Sequence, residues 1–397
     1  IGGRAGRIVS AWSLGFGGGG EALCKMAFGN RLGFAVQLAE EDLFSLGYGS
    51  LVVEAAGALD APFAEQLGLV TDGPVVINAQ PMALSDLKRA CDGRFAEIYP
   101  AKTPTPADSV PAFADCFCRD AAPVYPGAAV AEPLVLIPVF PGTNCDCDTA
   151  AAFRRAGARV RFSVFRNLSE QDVLDSIDTL CRDLAECQIL ALSGGFSSGD
   201  EPDGSGKFIA GVLGNAKVAA QIEALLVRKG LILGICNGFQ ALVKSGLLPG
   251  GRLGVAENDP TLFRNDINRH ISQLVTTVVS STRSPWLSGF RAGELHTVAV
   301  SHGEGKFVIS RALAEQLFAR GQVAFRYADP ATGRPTLESP FNPNGSSFAI
   351  EGIVSPDGLI LGKMGHSERT GKDLYRNIPS EVGETIFKNA VNYFRFK

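Results

Sequence analysis

Histidine is scarce in this chain, with four in 397 residues. Structural zinc sites usually use C-x₂₋₄-C hooks, several of the familiar sets being completed by histidine. The close cysteine pairs, Cys116/Cys118 and Cys145/Cys147, have neither that spacing nor a histidine nearby in the sequence, so no metal is expected. Charge of one sign is also lacking. A net charge of -4 gives no electrostatic basis for binding nucleic acid or an anionic membrane. No apolar run approaches the roughly 18 residues of a membrane span, and the opening residues IGGRAGRIVS lack the apolar core of a signal peptide. Nine cysteines, an odd number scattered without small-scaffold spacing, point to reduced thiols in the cytoplasm. The first residue is Ile rather than Met, so the chain is expected to be a piece of something longer.

What is present describes an ordinary globular protein, 46% apolar and 20% charged, long enough for two or three domains. Residues 103–133 are dense in Pro and Ala without a steady period and read as a linker or an extended surface crossing. Residues 1–102 form one expected unit and residues 134–397 another. In the second, strand and helix patterns alternate as in a parallel α/β sheet. Strands are expected at 134–140, 159–165, 187–192 and 231–235, with helices at 148–156, 170–184 and 208–228. Ligand sites on such sheets lie at the carboxyl ends of the strands. Both Gly194-Gly195 and Cys236 fall on such ends.

Cys236 ends the apolar run LILGI, and a helical pattern follows at once. A thiol held at a sharp strand-to-helix turn stands clear of the sheet and close to backbone N–H donors, as a nucleophile requires. Such a nucleophile needs a base, a group to orient the base, and donors for an oxyanion. His270 sits in a mixed-charge stretch and reads as a surface residue, while His296 enters a strand. His302, in the loop SHGEGKF, is placed to contact a ligand. His366 follows an apolar strand, and Glu368 lies two residues on, which in extended chain puts both side chains on one side. That pairing holds the imidazole in the tautomer able to take a proton from sulfur. The expected oxyanion donors are the amide of Asn237 and one from the loop at 193–200, Gly195 or Phe196, with Gly194 completing the turn. Gln240 and His302 are the remaining candidates for substrate contact.

These motifs carry a resemblance. GICNGFQAL, PGTNCDCDTA, LSGGFSSGDEPDGSG, SHGEGKF, NPNGSSFAIEGIVSPDGLILG and GHSER resemble the class I glutamine amidotransferase domains of the phosphoribosylformylglycinamidine synthase family, in order from about residue 134 to the C-terminus. The resemblance implies a flavodoxin-like parallel-sheet α/β domain with Cys236, His366 and Glu368 as nucleophile, base and orienting acid. Many relatives have Pro on either side of that histidine, where this chain has Gly365 and Ser367. It also implies glutamine hydrolysis through a thioester and transfer of ammonia to ATP-dependent amidation of formylglycinamide ribonucleotide, a ligase reaction of purine biosynthesis. The glutaminase domain needs no cofactor of its own, whereas the complete synthase uses ATP and Mg²⁺. The expected partners are glutamine, the ribonucleotide and the remainder of the synthetase.

The front unit is similar to the C-terminal half of an α+β aminoimidazole ribonucleotide synthetase-like domain. Its glycine run, including Gly17, Gly18 and Gly19, formally satisfies a dinucleotide motif. A run of glycines satisfies almost any such pattern. The functional reading of those glycines is a phosphate-bearing ligand at a helix N-terminus, and the alternative is a close-packed turn. Two other readings of the whole chain compete: a cysteine hydrolase of the DJ-1 or peptidase type, and a nucleotide-binding regulatory module. Asn237 stands where the former commonly place histidine, and the latter leaves Cys236 and His366 unexplained.

Overall fold

The computed structural model describes residues 7–59, 61–100, 102–104, 106, 109–199, 205–256, 259–371, 374–375 and 384–396. The chain divides into two units, Ile1–Ala101 and Lys102–Lys397.

In the first unit β1 (Ile8–Ser13) leads through the glycine run into α1 (Gly18–Asn30), followed by β2 (Gly33–Val36) and α2 (Glu40–Phe44). The strands β3 (Leu51–Ala55), β4 (Gly68–Thr71), β5 (Val75–Ile77) and β6 (Gln80–Met82) follow, then α3 (Leu84–Gly93). β1 pairs antiparallel with β3, and the other four strands form a sheet in the order β4-β2-β5-β6. The glycine run has a packing reason. Gly18 has φ +63°, and a Cβ there would lie 2.7 Å from the Leu43 carbonyl oxygen and 2.8 Å from that of Ser45. Only glycine lets α1 start this close to the backbone of α2.

The second unit is built on a sheet whose central strands are buried on both faces. β7 (Leu134–Val139), α4 (Asp146–Ala156), β8 (Arg159–Val164), α5 (Glu170–Glu186) and β9 (Ile189–Leu192) alternate as expected. Gly157, at φ 92°, ends α4 in the left-handed conformation, and the Ser169 hydroxyl caps α5 by accepting from the Asp172 amide. The expected helix at 208–228 is two helices, α6 (Lys207–Leu213) and α7 (Ala216–Val227), bent by 79°. Gly214 closes the first, and the Asn215 side chain caps the second at Lys217, a stop and a start in adjacent residues. Among the described residues no single helix is long and apolar enough to cross a membrane.

β10 (Leu231–Ile235) then runs into α8 (Asn237–Lys244) and α9 (Leu247–Gly250). Beyond it the pattern changes. β11 (Thr261–Phe263) pairs with β14 (Lys306–Val308), apart from the main sheet. β12 (Ile271–Val279), β13 (Leu295–His302), β15 (Val323–Tyr327), β16 (Ile350–Val354) and β17 (Ile360–Lys363) join the main sheet, with α10 (Arg311–Ala319) and α11 (Ile386–Arg395) outside it. The order is β13-β12-β15-β16-β17-β10-β9-β7-β8.

The purely parallel sheet expected from the sequence is therefore corrected to a mixed one. Strands β8, β7, β9, β10 and β17 are parallel, and β16, β15, β12 and β13 continue antiparallel from β17. The reason is local. Asp357-Gly358 makes a tight turn between β16 and β17, and a tight turn can only join antiparallel neighbours.

The segment at 103–133 is extended chain laid onto this second unit. Phe113, Tyr125 and Val130 pack against its core, and the Val130 amide donates to the Phe394 carbonyl at 2.9 Å. Arg326 of β15 is fully buried beneath it. Its guanidinium donates to the carbonyls of Phe113 (2.7 Å) and Cys116 (2.9 Å) and to the Ser280 hydroxyl (2.6 Å). Hydrogen bonds to a charged group contribute about 1.5–3 kcal/mol each. Arg326→Met should thus lower the unfolding free energy by more than about 2 kcal/mol in urea titrations. Limited proteolysis should also cut the segment before residue 120 faster than in the parent chain.

Candidate active site

Cys236 occupies the turn between β10 and α8 with φ 52° and ψ -107°. That conformation is strained for a residue with a side chain, and such strain concentrates at functional sites. It is held from both ends, by the Cys236 amide donating to the Lys363 carbonyl (2.9 Å) and its carbonyl accepting from Gln240 (3.0 Å).

His366 enters the same place from the end of β17, the strand beside β10. Its Nδ1 lies 2.6 Å from a Glu368 carboxylate oxygen, and both side chains are buried. The i to i+2 pairing read from the sequence is thus the arrangement in space. Nε2 is buried and has no hydrogen-bond partner among the described residues. Burial opposes charging of the ring, but the Glu368 carboxylate, aided by Cys236, outweighs it and holds His366 well above the ordinary imidazole value.

Gly194 is the hub around which these groups meet. A Cβ there would lie 2.9 Å from His366 Cε1, 3.2 Å from Cys145 Sγ and 3.4 Å from Cys236 Cβ. The loops at 141–146 and 193–196 are laced together behind it. The Gly194 carbonyl accepts from the Asn144 and Cys145 amides, and Phe196 N–H donates to the Gly142 carbonyl at 3.0 Å. That last bond removes Phe196 as an oxyanion donor, because its amide is already engaged. The Gly195 amide has no acceptor among the described residues and remains the second candidate beside Asn237.

Asn237 and Gln240 are buried, and their side chains brace the site instead of pointing free into it. Asn237 Nδ2 donates to Gln240 Oε1 (3.0 Å), and Gln240 Nε2 donates to the Glu304 carbonyl (2.6 Å), tying α8 to the SHGEG loop. His302 is the last residue of β13. Asn265 Oδ1 accepts from the Gly305 amide and lies 3.2 Å from His302 Nδ1, which therefore carries the ring proton. Burial, then the nearby His366, pulls His302 down to about 3, so it stays neutral. A cleft of about 510 Å³ joins Cys236, His366, Gly195, Gln240 and His302, a size suited to a small molecule. Gly17, Gly18 and Gly19 belong to the first unit, where Glu21 of their own helix accepts from the Gly17 amide at 2.9 Å.

Two site residues escaped the sequence reading. Cys145 Sγ lies 3.9 Å from His366 Nδ1, and Arg369 donates to that sulfur at 3.4 Å. The only signal was proximity to motifs already singled out, Arg369 directly after Glu368. His270, read as a surface residue, is exposed but lines the cleft mouth. Donor atoms of Cys145, His366 and Glu368 lie within 4.8 Å of one another, a spacing that three ligands of one ion could share. The Arg369 cation at Cys145 and the proton between His366 and Glu368 work against a further cation there.

A strained thiol at a strand-to-helix elbow, a carboxylate-braced imidazole and a glycine loop at the carboxyl ends of an α/β sheet define a glutamine amidotransferase-like site. Residues 132–394 match the CobB/CobQ-like glutamine amidotransferase domain family, and the chain belongs to it. Within that family the domain is PurQ-like. It is 34% identical over 258 residues to phosphoribosylformylglycinamidine synthase subunit PurQ of Synechococcus sp. (strain JA-2-3B'a(2-13)), covering 64% of this chain and 95% of that one. The PurQ subunit of Chlorobaculum tepidum is 34% identical over 261 residues, 66% of this chain and 97% of that one. A solved structure of PurLQS from Thermotoga maritima is 27% identical with a TM-score of 0.48, covering 66% of this chain and 99% of that chain.

The His366–Glu368 pair sets two expectations. Because the folded value lies above the unfolded one of about 6.5, the pair contributes stability that is complete below pH ~6.5. That stability is lost as pH rises through the folded value. Glu368→Gln should therefore cost most stability in acid and progressively less towards alkaline pH, measured by urea unfolding across the range. The same variant should still bind glutamine but acylate slowly. A serine triad loses about 10⁴-fold on such a change, and a cysteine thiolate, less dependent on its base, should lose less. Rapid-quench measurement of acyl-enzyme formation checks this.

Proposed function

We propose that the second unit hydrolyses glutamine through a Cys236 thioester and supplies the ammonia to a synthetase that amidates formylglycinamide ribonucleotide. The observation that carries this reading is the strained Cys236 sharing one cleft with the His366–Glu368 pair. With His366 charged beside Glu368 and already holding the thiol proton, the Cys236 thiolate attacks the side-chain amide carbon of glutamine. The oxyanion forms between the amides of Asn237 and Gly195, and His366 returns the proton to the departing nitrogen as ammonia leaves. Water, deprotonated by His366, then attacks the thioester, releasing glutamate and restoring the thiol. Glu368 stabilises the imidazolium at both stages.

ATP and Mg²⁺ act in the amidation step. The first unit, proposed as an aminoimidazole ribonucleotide synthetase-like half, has its glycine run engaged in packing against α2 and its first amide bonded to Glu21. The ATP-dependent step is accordingly assigned to the remainder of a synthetase, a cytoplasmic partner of this domain.

Glutamate release from glutamine tests the reading directly. Cys236→Ala should abolish it, while Cys145→Ala retains it at a reduced level; full activity in Cys236→Ala would sink the assignment. Given ammonium salt, ATP-Mg²⁺ and formylglycinamide ribonucleotide, the chain alone should yield no amidine by chromatography. Product there would place the synthetase site within this chain.

A further inference from the structure

Beneath the catalytic histidine lies a cluster of three ionisable side chains that the reaction does not use. Lys363, Glu351 and Glu384 are all buried, and the Lys363 and Glu351 side chains and that of Glu384 expose none of their surface in the ion pairs they form. They come from β17, from β16 and from the residues just before α11. Lys363 Nζ lies 2.8 Å from Glu384 Oε2 and 3.4 Å from Glu351 Oε1.

Apart from a hydrogen bond that Glu384 accepts from the Thr277 hydroxyl at 3.4 Å, the remaining bonds of the cluster among the described residues go to the two neighbours of His366. Glu351 Oε1 accepts from the Gly365 amide at 2.5 Å. Lys363 Nζ donates to the Gly365 carbonyl (3.3 Å) and the Ser367 hydroxyl (2.9 Å), and that hydroxyl donates in turn to Glu384. The His366 amide donates to the Ala299 carbonyl of β13 at 2.8 Å. Every backbone polar group of Gly365 is thus held by a charged side chain. A Cβ at Gly365 would lie 2.7 Å from Glu351 Oε1 and 2.9 Å from Val298 Cγ1, so the carboxylate comes this close only because the residue is glycine.

Stability alone does not account for the cluster. Removing an ion from water costs several kcal/mol, and buried ion pairs replaced by apolar groups of similar volume are often neutral or stabilising. Geometry does account for it. Glycine restricts its own backbone least of all residues, and Ser367 adds little. A catalytic imidazole must be held within about 0.5 Å of its working position.

We propose that Lys363, Glu351 and Glu384 are positioning residues, a buried ionic clamp that fixes the backbone on both sides of His366 and so aims its ring at Cys236. This rests on the reading of Cys236 and His366 as nucleophile and base. The protonation pattern agrees with a clamp of low net charge. Burial raises Glu351, while Lys363, against burial, holds Glu384 below the ordinary carboxylate value.

The test uses the full chain and compares Glu351→Leu, which deletes the acceptor for Gly365, with Glu351→Gln, which keeps one. A double variant, Lys363→Met with Glu384→Gln, removes the Lys363–Glu384 pair together and leaves Glu351, whose carboxyl burial favours in its neutral form, on the Gly365 amide. Circular dichroism and thermal melting identify the variants that fold. Loss of an outer-layer partner typically costs 10–100-fold, so Glu351→Leu and the double variant should lose about that in kcat with KM nearly unchanged. Glu351→Gln should recover most of it.

A second readout does not depend on turnover: the pH profile of Cys236 alkylation by iodoacetamide, located by peptide mapping, with His366→Ala as reference. Aiming His366 at the thiol should place the parent chain's alkylation midpoint at lower pH than that of His366→Ala. Glu351→Leu and the double variant should move that midpoint up towards the His366→Ala profile, and Glu351→Gln should not. Folded variants with the parent's kcat and alkylation profile would overturn the clamp. A parent chain that shows the lowered midpoint but no glutamate release would instead overturn the proposed function and leave the clamp to be judged by the midpoints. A parent midpoint equal to that of His366→Ala would overturn both.

Discussion

The close approach of three loops at Gly194 is the constraint on which the site depends. Cys236, His366 and Cys145 all press on the space that a Cβ at residue 194 would take. These groups arrive from different strand ends, and none of them could hold its position if the turn after β9 were bulkier. The strain at Cys236 is maintained in the same way. An elbow with φ 52° persists because β10 and α8 are both buried and because Lys363 and Gln240 fix its backbone. The geometry of the site is therefore a product of dense packing at the carboxyl ends of the sheet's central strands.

The parts of this fold that were legible in the sequence are those in which local pattern and tertiary role coincide. β7, β9 and β10 are continuous apolar runs because both of their faces are covered, and each ends in residues able to turn. Cys236 was legible because it interrupts such a run at its carboxyl end. His366 and Glu368 were legible because a strand places alternate residues on one side. The antiparallel half was not, although Asp357-Gly358 carried its signature. Its strands follow long connections, and the alternation that had organised the chain up to residue 235 gave no reason to expect a change.

Contacts between distant residues were illegible in a deeper sense. Cys145 and His366 are separated by 221 positions, and nothing in either neighbourhood announces the other. The Phe196 amide illustrates the limit at atomic scale. Its place in a glycine loop at a strand end made it a fair donor, and only the lacing to Gly142 shows that it is taken. Lys363, Glu351 and Glu384 lie in segments that read as ordinary strand and helix boundaries, so their mutual burial required the fold to be known.

Cys236 and His366, the proposed nucleophile and base, follow adjoining parallel strands, β10 and β17, paired from Ile232 with Ile360 to Ile235 with Lys363. The separation between them is thereby set by the hydrogen-bonded spacing of a sheet, about 4.8 Å, and by one and three residues of chain beyond it. It is a lattice constant of the scaffold, not a loop length. The antiparallel half touches this frame from the far side of β17, where the His366 amide donates to the Ala299 carbonyl of β13 and His302 enters the cleft. The two halves of the sheet thus divide the work: the parallel strands set the span between Cys236 and His366, and the antiparallel strands fix how the imidazole is presented within it.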